Sequence, residues 1–302
     1  MEKTYKKKRT GAKLKNKFSL AFFGIAVLLI IYSLSLVIPA IWGLYSSFKS
    51  PSDFFINSYS LPEVWCFENY EKAFFKFYHL VPSGDSMKKI YMFVMFFNSV
   101  LYAGGCTVAG TMCSCVMAYM CAKYRYKFNA VIQAIVIVTM VLPIVGSLPS
   151  QVQVAQALGL YDKIWGMWIM SANFLGIYFL LFYGVFCSLS SEYGESAFVD
   201  GASHFRVMFQ IMFPLVKTTI LLVGLLLFIS YWNNYQTPMM FIPSHPTAAY
   251  GMFLFRFSLE QDLNAPPMQL AGSVLLFSPI FIIFMFTKDK LVGNLTAGGL
   301  KG

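Results

Sequence analysis

A chain of 302 residues that is 58% hydrophobic, 18% aromatic and only 12% charged carries roughly half the charge of a water-soluble domain. This composition excludes a soluble enzyme or binding module and leaves a single polytopic membrane domain with short connections. The net charge of +10 gathers mainly at the N-terminus, where it reads as an orientation signal and a contact for anionic lipid rather than a nucleic-acid patch.

The chain opens with a basic tail, 1–17, holding eight lysines and arginines (Lys3, Lys6, Lys7, Lys8, Arg9, Lys13, Lys15 and Lys17). An apolar run over 18–41 follows. It exceeds the apolar core of a cleaved signal peptide and lacks a small-residue exit, so it is expected to stay as a first span. Further spans are expected over 91–121, 130–149, 164–187, 215–238 and 268–287, each long enough for a hydrocarbon core of about 30 Å. Gly104, Gly105 and Gly110 sit in the second; Pro143 and Pro149 are expected to kink or stop the third. A tail, 288–302, closes the chain. The expected fold is all-α, with six transmembrane helices making one domain over 18–287.

Orientation follows from the basic residues. The N-terminal tail, the 122–129 loop, the segment between the fourth and fifth spans, and the C-terminal tail share one side. Together they hold 16 of the 23 basic residues, whereas the opposite side holds eight of the 13 acidic ones. The positive-inside bias therefore places both termini in the cytoplasm.

The six cysteines offer no zinc-site spacing, and Cys113 and Cys115 point about 200° apart on a helix. They read as small packing residues. His79, His204 and His245 are scattered over loops on opposite sides. There is no phosphate-cradling Gly-Lys-Ser/Thr loop, no H-E-x-x-H and no nucleophile elbow, so neither catalysis nor a metal site is expected. The spans also carry almost no ionisable groups. That argues against a proton relay of the chain's own and for a device driven by another protein.

One polar, amphipathic insert interrupts this apolar chain at about 190–214. A first short helix from about Ser191 to Val199 ends before Gly201, which permits a left-handed turn. Ser203 is a candidate N-cap for a second helix, in which Phe205, Met208, Phe209 and Met212 recur at helical spacing up to Pro214. Glu195 is suited to pairing with an arginine on a partner, and Phe205 and Phe209 are apolar knobs of the kind that anchor interfaces.

This insert resembles the EAA loop of ABC importer permeases, E-A-A, three residues, G, nine residues, I-x-L-P. Glu195, Ser196 and Ala197 fill the triplet, Gly201 follows after three residues, and Ile211 and Pro214 close the pattern. Ser196 and Phe213 depart from it in size-tolerable ways. Asp200-Gly201-Ala202 is the form met in the carbohydrate branch. Three further stretches carry the likeness: Ala118-Tyr119 ahead of Lys123; Trp232-Asn233-Asn234-Tyr235 with Pro238; and the C-terminal Leu295-Thr296-Ala297-Gly298-Gly299-Leu300-Lys301-Gly302. The chain thus resembles MalG-like carbohydrate ABC transporter permeases, binding-protein-dependent inner membrane components with the type I importer fold.

The resemblance implies a multi-pass subunit of a bacterial cytoplasmic membrane. Its partners would be a second homologous permease, two cytoplasmic ATPase subunits, an extracytoplasmic solute-binding protein, the lipid bilayer and a sugar substrate, with no nucleic acid. This chain would bind no cofactor; ATP and Mg would sit on the ATPase subunits. The coupling residues would be Glu195, Ser196, Ala197, Asp200, Gly201, Ala202, Phe205, Phe209, Ile211 and Pro214. Sugar sites combine aromatic faces with amides, which makes Trp232, Asn233, Asn234, Tyr235, Gln236, Asn98 and Asn173 candidates for a substrate path. Adjacent asparagines cannot face one way on a helix, and Trp232 and Tyr235 could equally be interfacial anchors or packing residues. The acidic, aromatic segment 48–90 would help dock the binding protein. A permease for a polyol, a glycerophosphodiester or another non-sugar solute remains open, as does an ATP-independent secondary transporter, although no internal repeat or coupling-ion site is evident.

Overall fold

The computed structural model describes residues 20–83, 86–124, 126–142, 146–257 and 264–298. The basic tail 1–17, Arg125, Pro143 and the terminal 299–302 lie outside these residues, as do the expectations attached to them.

The first long helix, α1 (Leu20–Ser46), is apolar on every face and stands almost unburied beside the rest, touching it mainly at its end. Gly43 there meets Leu270 across the α1–α15 contact. A compact cap follows, in which α2 (Pro51–Ile56) and α3 (Glu68–Glu71), the latter running into a π-helical turn at Lys72–Lys76, wrap around Phe48. Trp65, Phe67 and Tyr70 pack on the Phe48 ring, and the Asn69 amide donates to the carbonyls of Ser47 and Lys49.

The all-α expectation needs one correction. Strands β1 (Tyr78–Ser83) and β2 (Ser86–Tyr91) form an antiparallel hairpin, registered from Tyr78 opposite Tyr91 to Ser83 opposite Ser86. The cause is local: β-favouring Tyr, Val and Ile flank a Ser-Gly-Asp-Ser turn signal. The Lys89 ammonium lies 4.2 Å from the Tyr78 ring centroid across the ladder.

The central helix is α4 (Met92–Lys123), and α7 (Ile164–Ser171), α8 (Ile177–Ser188) and α12 (Lys217–Asn233) pack along it. Small residues make these approaches close. A Cβ on Gly105 would run into the Trp168 ring nitrogen, which itself donates to the Leu101 carbonyl. The remaining helices are α5 (Asn129–Val141), α6 (Leu148–Ala157), α9 (Glu192–Val199), α10 (His204–Arg206), α11 (Phe213–Leu215), α13 (Gln236–Phe241), α14 (Ala248–Phe255) and α15 (Pro266–Gly298).

Among the described residues, three helices are long and apolar enough to cross a membrane, Phe22–Ser46, Met92–Lys123 and Pro266–Lys288. A fourth crossing arises if the bent pair His204–Leu215 and Lys217–Asn233 counts as one. Three of the expected spans are broken. The 130–149 stretch ends as a helix at Val141 and resumes as α6. The 164–187 stretch is interrupted at 172–176, where Gly176 takes φ 117° and the Ser114 hydroxyl reaches the Asn173 carbonyl. The 215–238 stretch stops at Asn233, and the Asn234 side chain caps α13. Breaks of this kind are tolerated where neighbouring side chains satisfy the freed backbone.

Candidate functional site

The insert folds as a helical hairpin. Helix α9 ends in a Schellman turn: the Ala202 amide donates to the Ala197 carbonyl at 2.9 Å and the Gly201 amide to the Phe198 carbonyl at 3.0 Å. Gly201 holds φ 80° with open space where a side chain would project. The Ser203 hydroxyl accepts from the Arg206 amide, capping α10 as its type and position predict. From Val207 to Met212 the helix widens into a π-helical turn before α11.

One side of this hairpin is fixed into the helix bundle. Ala197, Val207, Met208, Met212 and Phe213 are buried in a cluster with Phe182, Phe186 and Tyr119. Gly194 lets α9 approach closely, since a Cβ there would meet the Met212 methyl at 3.3 Å. Polar contacts add direction. The Tyr124 hydroxyl lies 2.8 Å from His204 Nδ1, and the Lys123 ammonium donates to the Leu189 carbonyl at 2.7 Å. The Asn129 amide donates to the carbonyls of Cys121 and Tyr124, holding the start of α5 against the end of α4.

The other side of the hairpin is bare. Phe205 is 74% and Phe209 51% exposed, while Glu195, Ser196, Asp200, Gly201 and Pro214 are also exposed and Ala202 and Ile211 half-buried. The ten residues to which the resemblance gives a coupling role thus lie on one hairpin, with Ala197 turned inward as the packing contact. An amphipathic helix would be expected to bury its phenylalanines. Here the methionines at 208 and 212 are buried instead, leaving two rings, a carboxylate and a glycine turn facing out. Such a face suits a socket on another protein, with apolar anchors inside a polar rim.

The substrate-path candidates do not form one cluster. Trp232 is almost fully buried, donates from its ring nitrogen to the Leu276 carbonyl at 2.9 Å and stacks on Phe228, so it ties α12 to α15. Asn98 is buried on α4 and donates to the Pro246 carbonyl, next to Ser99, whose hydroxyl accepts from the Ala248 amide. Asn234 is the α13 cap, and Asn173 lies exposed in the break before α8. Asn233, Tyr235 and Gln236 are exposed; the Tyr235 ring stacks on Phe253, centroids 4.5 Å apart and planes 11° from parallel. Phe253 was not singled out by the sequence, because nothing in its local pattern distinguishes it from other apolar residues of α14.

A second latch joins the α6–α7 turn to the segment after α13. Asp162, at φ 57°, accepts from the Ser244 amide at 3.0 Å, lies 3.6 Å from His245 Nδ1 and donates its own amide to the Phe241 carbonyl. Sequence spacing could not have joined these positions, which are some eighty residues apart.

Among the described residues no group of three or more histidine, cysteine, aspartate or glutamate side chains could hold a metal ion. Residues 110–292 match the family model of binding-protein-dependent transport system inner membrane components. The chain is 28% identical to the arabinooligosaccharides transport system permease protein AraQ of Bacillus subtilis, over 95% of this chain and 98% of that one. It is 24% identical to the diacetylchitobiose uptake system permease protein NgcG of Streptomyces coelicolor, over 90% and 86%. Among solved structures, a chain of a bacterial ABC transporter involved in the import of the acidic polysaccharide alginate superposes with a TM-score of 0.72. It shares 22% identity and is covered over 96% of its length, with 89% of this chain.

Proposed function

Because the chain belongs to the family of binding-protein-dependent transport system inner membrane components, we propose that it is one permease of an ABC importer for a sugar or oligosaccharide. A second homologous permease completes the path, an extracytoplasmic binding protein delivers the substrate, and two cytoplasmic ATPase subunits drive the cycle. The sugar assignment draws on the names of the relatives, which are transport permeases for arabinooligosaccharides, diacetylchitobiose and galactooligosaccharides. In this reading ATP and Mg stay on the ATPase subunits, and this chain contributes movement rather than catalysis.

The observation that carries the reading is the division of the 192–215 hairpin into a buried face and a bare one. The buried side moves with α4 and α8; the bare side offers Glu195, Phe205 and Phe209 to a partner. Closure of the ATPase dimer then pushes on Phe205 and Phe209, and the packed core hands that push to the spans as a rigid-body step. The reading has six crossings, by α1, α4, α5, α8, α12 and α15, with both termini and the hairpin in the cytoplasm. In this reading short α5 and α8 are extended by their neighbours in the chain, α6 after α5 and α7 before α8.

Uptake by the reconstituted complex tests this. Gly201→Glu and Glu195→Arg should insert in the membrane yet lose ATP-driven uptake and ATPase docking. Wild-type uptake with normal docking in both variants would refute the coupling role.

A further inference from the structure

A cavity of about 500 Å³ opens between the end of α1, the α12–α13 junction, α14 and the start of α15. Its wall differs in kind from the other grooves along the spans. Those between α4, α12 and α15 and along α5 are lined by aliphatic and aromatic carbon with threonines. This one is lined by Asn233, Tyr235, Phe253, Arg256, Gln269 and Ser273, among apolar neighbours. Amide and guanidinium groups facing lipid are costly, so a wall of this composition belongs to a watered path.

The polar atoms are arranged with their roles divided. The Asn233 amide nitrogen already donates to the Ile229 carbonyl, and the Gln269 amide nitrogen donates to Asn264 through its carbonyl and side-chain oxygens. Their side-chain oxygens have no partner among the described residues and remain free to accept. The Ser273 hydroxyl donates to the Gln269 carbonyl and likewise keeps acceptor capacity. Arg256 supplies only donors, is exposed and makes no ion pair among the described residues. Acceptors on one part of the wall and a donor fork on another match a ligand whose hydroxyls both give and take hydrogen bonds.

The aromatic part fits the same ligand. Tyr235 and Phe253 form a stacked block, and Phe257 meets the Phe253 edge at 5.5 Å, which stiffens it from behind. Tyr235 remains 40% exposed. A ring held rigid by stacking presents an apolar face with little ordering cost, and the C–H face of a pyranose or furanose is its natural complement.

We propose that this cavity is an entry subsite for one sugar ring of the transported carbohydrate, stacked on the Tyr235–Phe253 block and hydrogen-bonded by Asn233, Gln269 and Arg256. The inference rests on the sugar-importer reading above. In that orientation the cavity lies at the extracytoplasmic ends of α1, α12 and α15, where a released ligand first meets this chain.

The test uses the complete transporter in proteoliposomes with its binding protein, and labelled maltose, arabinobiose, galactobiose and diacetylchitobiose as probes. Tyr235→Ala and Gln269→Ala are expected to lower uptake of the transported probe by about tenfold or more. Tyr235→Phe, which keeps the ring, should remain near wild type. ATP hydrolysis stimulated by the loaded binding protein should fall in step with uptake, so that sugar moved per ATP hydrolysed stays within about twofold of wild type in all three, because coupling is intact. Unchanged uptake in both alanine variants overturns the subsite and leaves the sugar reading standing. Dissociation of the partner permease in Tyr235→Ala makes the cavity a protein interface and also overturns it. Transport of none of the four probes by the wild-type complex sinks the sugar reading, and the subsite with it.

Discussion

The Tyr124 hydroxyl and His204 Nδ1 stand 2.8 Å apart, joining the turn after α4 to the first residue of α10. Eighty residues of chain separate them, and the Phe198 ring also packs on His204, centroids 4.8 Å apart. The proposed coupling hairpin is thereby tied to a second part of the bundle besides its own flanking helices.

Tyr124→Phe should keep the ring packing on Tyr119 while deleting this hydrogen bond, at a cost of about 0.5–1.5 kcal/mol. The complex should assemble, but sugar moved per ATP hydrolysed should fall. Paired uptake and phosphate-release measurements on one proteoliposome preparation check this; an unchanged ratio removes Tyr124 from the coupling route.

At Gly201 the strain is conformational, because φ is 80° and no atom lies near the position of a Cβ. A left-handed backbone costs an ordinary L-residue roughly 1–2 kcal/mol, and asparagine less. Docking of the ATPase should therefore weaken in the order Gly201→Asn, Gly201→Ala, Gly201→Val. An order that follows side-chain volume alone, with asparagine worse than alanine, would point to contact rather than backbone geometry. Co-purification at graded salt gives the readout.

Trp232 is expected to matter for stability and not for substrate choice. Trp232→Phe removes the indole donor to the Leu276 carbonyl, a loss of about 0.5–1.5 kcal/mol. The melting temperature in detergent should drop while the preference among sugars is retained. A changed sugar preference at unaltered stability would return Trp232 to the substrate path.

His79 lies in β1, outside the long spans, with its ring 5.7 Å from Tyr250; partial burial pulls its pKa below the ordinary value near 6.5. The folded hairpin therefore favours the neutral imidazole. Its contribution is present above about pH 6.5 and declines as the pH falls through that value, where the unfolded chain takes up the proton first. Protection of the hairpin amides, measured as hydrogen exchange relative to the base-catalysed intrinsic rate at each pH, should fall between about pH 7.5 and 5.5, and His79→Gln should flatten this dependence.

How much of this was readable in the chain depended on whether the signal was local. Ser203 as a cap and Gly201 as a turn were legible because capping and left-handed backbone are decided by one or two residues. The β hairpin was missed although its turn signal was present, since an apolar composition draws every stretch toward a helical reading. The breaks at 172–176 and 234–235 were hidden for another reason. Inside lipid, residues facing tails and residues facing other helices are both apolar, so periodicity does not show where a helix stops or which face turns inward. That is also why Trp232 and Asn233, adjacent in sequence, could not be told apart until Leu276 and Ile229 appeared as their separate partners.

The bend between His204–Leu215 and Lys217–Asn233 is 78°. Two stiff arms meeting near a right angle act as a bell crank. The short arm is about 18 Å long and the long one about 26 Å, at about 1.5 Å per residue. A sideways shove at the Phe205 end is thus returned as a swing some one and a half times larger at Asn233. The far end of that swing carries the Asn233 side of the polar cavity, so under the importer reading proposed above a force applied at the hairpin widens or narrows that opening.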